Sequence, residues 1–225
     1  MMERIEIAGI HDLNEANCCL RAGVRQLGFP LGLDVHEEDC TVEEAREICA
    51  SLPRHIEKTV ITYLDRAADL ADLCRRVGAL IIQIHGDIPP RELSRLREMA
   101  PDLTVIKSLI VKSDNRETLF SVVERCSPWV DAFITDTYDP LTGASGATGK
   151  THDWEISRAL VAHARIPVIL AGGLNPDNVA SAIRAVHPWG VDCHTGVEGC
   201  DGRKDYGLVR GFVLNAQAAF AEWGG

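Results

Sequence analysis

Residues 79–100 read ALIIQIHGDIPPRELSRLREMA. The apolar run from Ala79 to His85, rich in isoleucine, is a strand by composition and length. It breaks at Gly86 and Asp87, and Pro89 and Pro90 then stand where a helix begins. A proline's fixed φ and missing N–H suit that first turn. Leu93 and Leu96 follow at helical spacing among charged neighbours. A strand, a short loop and a helix are expected here.

The same pairing recurs in both directions along the chain. Strand-like runs stand at RIEIA (4–8), RQLGF (25–29), KTVITYL (58–64), LTVIKSLI (103–110), WVDAFITD (129–136), PVILAGG (167–173) and GVDCHTG (190–196). Helical segments separate them, among them TVEEAREICASL (41–52), DRAADLADLCRRV (65–77) and NPDNVASAIRAV (175–186). Thr41 precedes Glu44 at capping-box spacing. Strict alternation implies a parallel sheet with right-handed crossovers. Eight such units in a chain of 225 residues match a closed (β/α)8 barrel, the TIM-barrel architecture. The competing doubly wound open sheet lacks its GxGxxG after the first strand. No linker, low-complexity tract or charge block divides the chain, so one domain over residues 1–225 is expected.

Composition narrows the partners. There are 33 acidic against 23 basic side chains, a net charge of −10, which argues against nucleic acid or an anionic membrane as the main partner. A small phosphate remains possible, because backbone N–H groups hold it without bulk positive charge. The eight cysteines are scattered and form no CxxC pair, and no signal-peptide pattern opens the chain. A cytoplasmic, reducing compartment is the expectation. The longest apolar runs are far too short for a membrane span. No oligomeric state is read from these features.

In a barrel of this kind the site lies in the loops that follow the strands, with phosphate usually after strands seven and eight. AGGLNPDNV (171–179) leaves strand seven through Gly172 and Gly173, and HTGVEG (194–199) leaves strand eight with Thr195 and Gly196 in the turn. The loop after strand six, LTGASGATGKTHDW (141–154), is also glycine-rich and carries Gly149. One such loop reads as a tight βα turn, but three side by side read as a phosphate cradle of backbone amides.

These stretches carry a family resemblance. GATGKTHDW, LAGGLNPDNV and VDCHTGVEGCDGRKD resemble the phosphate-binding loops of the phosphoribosylanthranilate isomerase family. IQIHG (82–86), FITDT (133–137) and TVEEAREICASLP (41–53) resemble it as well, so the likeness runs in order along essentially the whole chain. It implies an aldose–ketose (Amadori-type) rearrangement of a phosphoribosyl amine without a cofactor. In that family a carboxylic acid at the end of strand six protonates the furanose oxygen, and the matching residue is Asp136. A thiolate at the end of strand one, within a Lys-Ile-Cys-Gly motif, removes the C2 proton.

Two departures stand out. The strand-one motif here reads Glu6-Ile7-Ala8-Gly9, so the thiol is replaced by a methyl group. After strand two the family has a serine- and lysine-rich loop with an arginine for the anthranilate carboxylate. This chain has PLGLDVHEEDC (30–40), bearing Asp34, Glu37, Glu38 and Asp39 around His36. Such a loop repels a carboxylate instead of clamping it.

Asp136 is therefore the candidate general acid. His11 and His194 are candidate substitute bases. His11 also reads as a solvated residue in a turn capped by Asp12 or Asn14, and His194 stands open between base, phosphate donor and wall. Gln83 and His85, with Glu37 and Glu38, are candidate substrate contacts. Glu6 and Lys107 are expected to pair inside the barrel, since a buried glutamate needs a partner. His36 with Glu37, Glu38 and Asp39 reads as a hard-metal site, a receiver of a cationic group or, more commonly, a solvated acidic loop; Cys193, His194, Cys200 and Asp201 lack the spacing of a recognised zinc site, and no metal is expected. Three functions follow: an isomerase on a phosphoribosyl amine other than anthranilate, a catalytically silent phosphosugar-binding protein, or a lyase or aldolase on the same scaffold.

Overall fold

The computed structural model describes residues 4–33, 38–137 and 153–222. Eight parallel strands close into a barrel in sequence order: β1 (Arg4–Ala8), β2 (Gln26–Pro30), β3 (Glu57–Thr62), β4 (Ile81–Ile84), β5 (Thr104–Val111), β6 (Ala132–Thr137), β7 (Val168–Leu170) and β8 (Gly190–Cys193). The helices α1 (Leu13–Ala22), α2 (Val42–Ser51), α3 (Ala67–Val77), α4 (Pro90–Met99), α5 (Arg116–Cys126), α6 (Trp154–His163), α7 (Val179–Val186) and α8 (Tyr206–Ala221) alternate with them. The (β/α)8 fold is as the alternation requires. No helix among the described residues is long and apolar enough to cross a membrane.

Local chemistry sets the helix ends. Glu44 N–H donates to Thr41 Oγ1 at 3.2 Å while Thr41 N–H donates to Glu44 Oε2 at 2.8 Å, completing the capping box of α2. Asp12 caps α1 by accepting from Glu15 N–H at 2.8 Å. Pro90 opens α4, and Gly23 and Gly78 end α1 and α3 in the left-handed region. One boundary departs from expectation. NPDNV does not begin α7 at once: Asn175 Oδ1 accepts from Asp177 N–H and Asn178 N–H, which winds a turn, and the helix starts at Val179.

Alternation along the strands divides the side chains into two layers. Phe29, Phe133, Ile82 and Ile84 point outward and are fully buried against Leu93, Leu96 and Phe212 of the helices. Truncating any one of these to alanine costs about 2–5 kcal/mol. The bore is filled separately. Ile81, Ile106, Ala132, Ile134 and Ile169 form its apolar part, while Glu6, Gln26, Thr59 and Gln83 fill the rest with a hydrogen-bonded polar layer.

That division overturns the expected Glu6–Lys107 pair. Glu6 points into the bore, whereas Lys107 alternates with the inward-facing Ile106 and Ser108 and points out towards α5. There its ammonium donates to the Ser108 carbonyl at 2.8 Å. Burial lowers Lys107 to about 8. A strand's period of two makes the phase of each residue absolute, and these two are out of phase.

Candidate active site

Strand phase brings Glu6 and Ala8 of β1, Gly28 of β2, Gln83 of β4, Asp136 of β6 and Asp192 of β8 to the inner wall of the barrel. His85 and His194 follow β4 and β8 in the same phase. Asp136 is buried at the end of β6, where its Oδ1 accepts from Thr137 N–H at 2.7 Å. His85 Nδ1 lies 3.5 Å from the other carboxylate oxygen. Burial lifts the Asp136 carboxyl to about 7, against the pull of the Thr137 amide. Burial, helped by the charge of Lys107, drives His85 down to about 3, so its ring is neutral. An acid that retains its proton near neutrality thus stands beside an uncharged imidazole. His85 Nε2 in turn lies 3.3 Å from Gln83 Oε1, and the Tyr63 ring packs at 5.8 Å.

Gln83 reaches across the bore, donating from Nε2 to Glu6 Oε2 at 2.9 Å. Gln26 Nε2 donates to the same oxygen and to Thr59 Oγ1. Glu6 Oε1 has no hydrogen-bond partner among the described residues, and neither has Asp192 Oδ1. Glu6 and Asp192 are register partners on adjacent strands. Burial raises Glu6 to about 7, with Arg4 opposing the shift. Burial and then the neighbouring Glu6 hold Asp192 well above the carboxylate range. Asp192 is not among the expected site residues, and the expected role of Glu6 is a structural pair. The signal was the phase of GVDC, which places Asp192 on the face of His194.

The other predicted residues divide into groups. His11 and His194 meet a shared carboxylate, with His11 Nε2 at 3.5 Å from Asp39 Oδ1 and His194 Nε2 at 3.7 Å from Asp39 Oδ2. Burial works against the ionised Asp39, but His194 and His11 outweigh it and hold the carboxyl below its ordinary range. His11 Nδ1 is also 2.9 Å from Glu15 Oε2, so its carboxylate neighbours are Glu15 and Asp39; Asp12 instead caps α1. The Lys204 ammonium ties Glu198 at 2.5 Å to the His194 carbonyl at 3.2 Å. The loops after β1, β2 and β8 are thereby joined around the two imidazoles. Glu38 turns back on its own loop, with Oε1 accepting from Gly32 N–H at 2.6 Å. His36, Glu37 and Gly149 lie outside the described residues.

After β7, the neighbour of β8, Gly172 and Gly173 have φ of 94° and 64°, a region that favours glycine. The Asn178 amide holds the Gly173 carbonyl at 2.9 Å. Gly196 lies directly beneath the Leu174 carbonyl, which would be 1.9 Å from any Cβ at that position. The loops after β7 and β8 are therefore interlocked, with Thr195 and Gly196 in a single 3-10 turn, Thr195–Val197. Among the described residues no group of three or more His, Cys, Asp or Glu is placed to hold a metal ion.

Comparison with known proteins agrees with this geometry. The family model for N-(5'-phosphoribosyl)anthranilate (PRA) isomerase matches residues 7–215. The N-(5'-phosphoribosyl)anthranilate isomerase of Haloferax volcanii is 36% identical over 219 residues, covering 97% of this chain and 95% of the relative. Isomerase 2 of Methanosarcina mazei is 35% identical over 222 residues, with 96% and 95% covered. Among solved structures, the Thermotoga maritima enzyme superposes with a TM-score of 0.80 at 29% identity, covering 96% of this chain and all of that one. Another isomerase structure, in complex with reduced 1-(o-carboxyphenylamino)-1-deoxyribulose 5-phosphate, has a TM-score of 0.78 at 26% identity, with 96% and 100% covered. The chain belongs to the N-(5'-phosphoribosyl)anthranilate isomerase family.

Proposed function

We propose that this chain is an Amadori-type isomerase acting on a 5-phosphoribosyl amine whose amine part is not anthranilate. The carrying observation is the buried Asp136, protonated near neutrality beside a neutral His85, opposite a β1 terminus that offers only the Ala8 methyl group. Asp136 donates its proton to the furanose oxygen. The C1–O bond then breaks while the nitrogen lone pair forms a C1=N iminium. A base removes the C2 proton, and the C–H electrons form C1=C2 while the iminium pair returns to nitrogen. Protonation at C1 and loss of the enol proton give the amino-ketose and restore both protein groups. The ribosyl C1 is reduced and C2 is oxidised, with no external redox partner.

Backbone amides at Gly172, Gly173, Thr195 and Gly196, joined by Gly149, bind the phosphate in this reading, and Gln83 and His85 contact the sugar. His11 and His194 are the imidazoles on the acceptor side of the mouth. Asp39 on the strand-two loop, with Glu37 and Glu38, disfavours a carboxylate on the amine part and favours a neutral or cationic one. Mixing ribose 5-phosphate with aniline or with anthranilate supplies two phosphoribosyl amines that differ in that carboxylate. Deuterium exchange at C2 and formation of the amino-ketose are then followed. Turnover of the aniline adduct well above the anthranilate adduct is the expected result; efficient turnover of the anthranilate adduct overturns the substrate assignment. Tight binding of phosphate with no exchange from either adduct favours the silent binding protein.

A further inference from the structure

We infer that Glu6 is the proton acceptor of this site, reaching up from one layer below the Ala8 methyl group to take the C2 proton that no side chain at position 8 can take. This rests on the isomerase reading above. Four observations carry it. Ala8 and Gly28 are register partners on β1 and β2, so two adjacent inward positions bear a methyl and nothing at all. Glu6 Oε1 lies beside those positions, 2.8 Å from where a Gly28 Cβ would be, a point also 2.8 Å from Ile61 Cδ1 and 3.1 Å from the Ala8 Cα. Glu6 is 1% exposed, and this oxygen has no hydrogen-bond partner among the described residues. Its other oxygen is fixed by amide N–H groups of Gln26 and Gln83, which orient the free one.

A carboxylate held in this way is pre-aimed, and its unpaired oxygen is a standing cost unless a ligand approaches it. The groups around it suit the role. Arg4 lies on its own strand, Gln26 on β2, Glu57 and Thr59 on β3, Gln83 on β4 and Asp192 on β8. Burial raises Glu6 to about 7 and, with the neighbouring Glu6, holds Asp192 well above the carboxylate range, so the two carboxyls share their protons across adjacent strands. His11 and His194, by contrast, already face Glu15, Asp39 and Glu198. In the step itself Glu6 Oε1 takes the C2 proton as the C–H pair forms C1=C2. The Glu6 carboxyl exchanges its proton with solvent and then protonates C1, leaving Glu6 ionised for the next cycle.

The test measures deuterium exchange at C2 of the aniline–ribose 5-phosphate adduct in Glu6→Gln, Glu6→Ala, Gly28→Ala and His194→Asn. Loss of a general base removes about 10²–10⁴-fold of the rate, which is expected for Glu6→Gln and Glu6→Ala with inorganic phosphate binding unchanged. Sodium formate, which fits the space left by the truncated carboxylate, should restore exchange in Glu6→Ala. Gly28→Ala should slow exchange by crowding Oε1 and Ile61 Cδ1, and His194→Asn should slow it by far less than Glu6→Gln does. Full activity in Glu6→Gln, loss confined to His194→Asn, or failure of formate to rescue a folded Glu6→Ala overturns the assignment while leaving the isomerase reading intact. Absence of exchange from the wild-type protein defeats that reading and this one with it.

Discussion

The His194 imidazole lies on the Cα of Gly9: a Cβ at position 9 would be 2.0 Å from Nε2. Gly9 also has φ of +76°, outside the region that other residues adopt without strain. The turn leaving β1 is therefore shaped to receive a side chain from the turn leaving β8. Gly9→Ala must displace the ring from Asp39 and strain the backbone, at a cost of about 1–3 kcal/mol. A urea melt should show the midpoint falling with an unchanged slope. An unchanged midpoint would mean that His194 is free to swing away.

Asp136 and Glu6 both titrate near 7 in the folded chain, against ordinary values of 3.8 and 4.5. Between those limits the folded protein holds protons that the unfolded chain has released, so stability falls as pH rises through the window. The penalty is absent below the unfolded values and complete above about 7. His85, lowered to about 3, opposes part of this decline below its ordinary value of 6.5, while Asp12, Glu15 and Asp39, whose carboxyls are lowered, act only at more acid pH. Melting temperature should be lower at pH 8 than at pH 5 by several degrees, each unit of raised pKa being worth about 1.4 kcal/mol. Asp136→Asn cannot ionise and should flatten the decline. A melting temperature that climbs from pH 5 to pH 8 would contradict both assignments.

The same substitution separates chemistry from binding. Asp136→Asn removes the proton donated to the ring oxygen, and a loss of roughly 10²–10⁴-fold in turnover is expected. Inorganic phosphate binding, measured by calorimetry, should not change, because the glycine turns lie after β7 and β8. A parallel fall in phosphate affinity would place Asp136 in the binding machinery.

Gly196 has the Leu174 carbonyl 1.9 Å from its would-be Cβ, and that neighbour is backbone. Gly196→Ala therefore forces the loops after β7 and β8 apart. Sulfate or phosphate affinity should fall by roughly tenfold, the equivalent of about 1.4 kcal/mol. Retained affinity would move the phosphate site away from this pair of turns.

Much of this was legible in the amino-acid order. The alternation of apolar runs with capped helices specified the barrel, because strand and helix periods are local properties of ten or so residues. Asp136 and the glycine pairs stood out as site candidates for the same reason, each ending an apolar run at a strand terminus. Ala8 and the acids of residues 34–39 announced the departure from the family's own pattern. Strand phase was less secure: Glu6 and Lys107 looked like partners until closure of the barrel put one inside the bore and the other outside. The Glu6–Asp192 and Gly28–Ala8 neighbours, the bridge from Gln83 to Glu6 and the meeting of His11 and His194 at Asp39 join residues far apart in sequence. Only the closed sheet brings them together, and burial in its bore is what moves the acids towards neutrality. No spacing along a chain encodes the loss of water.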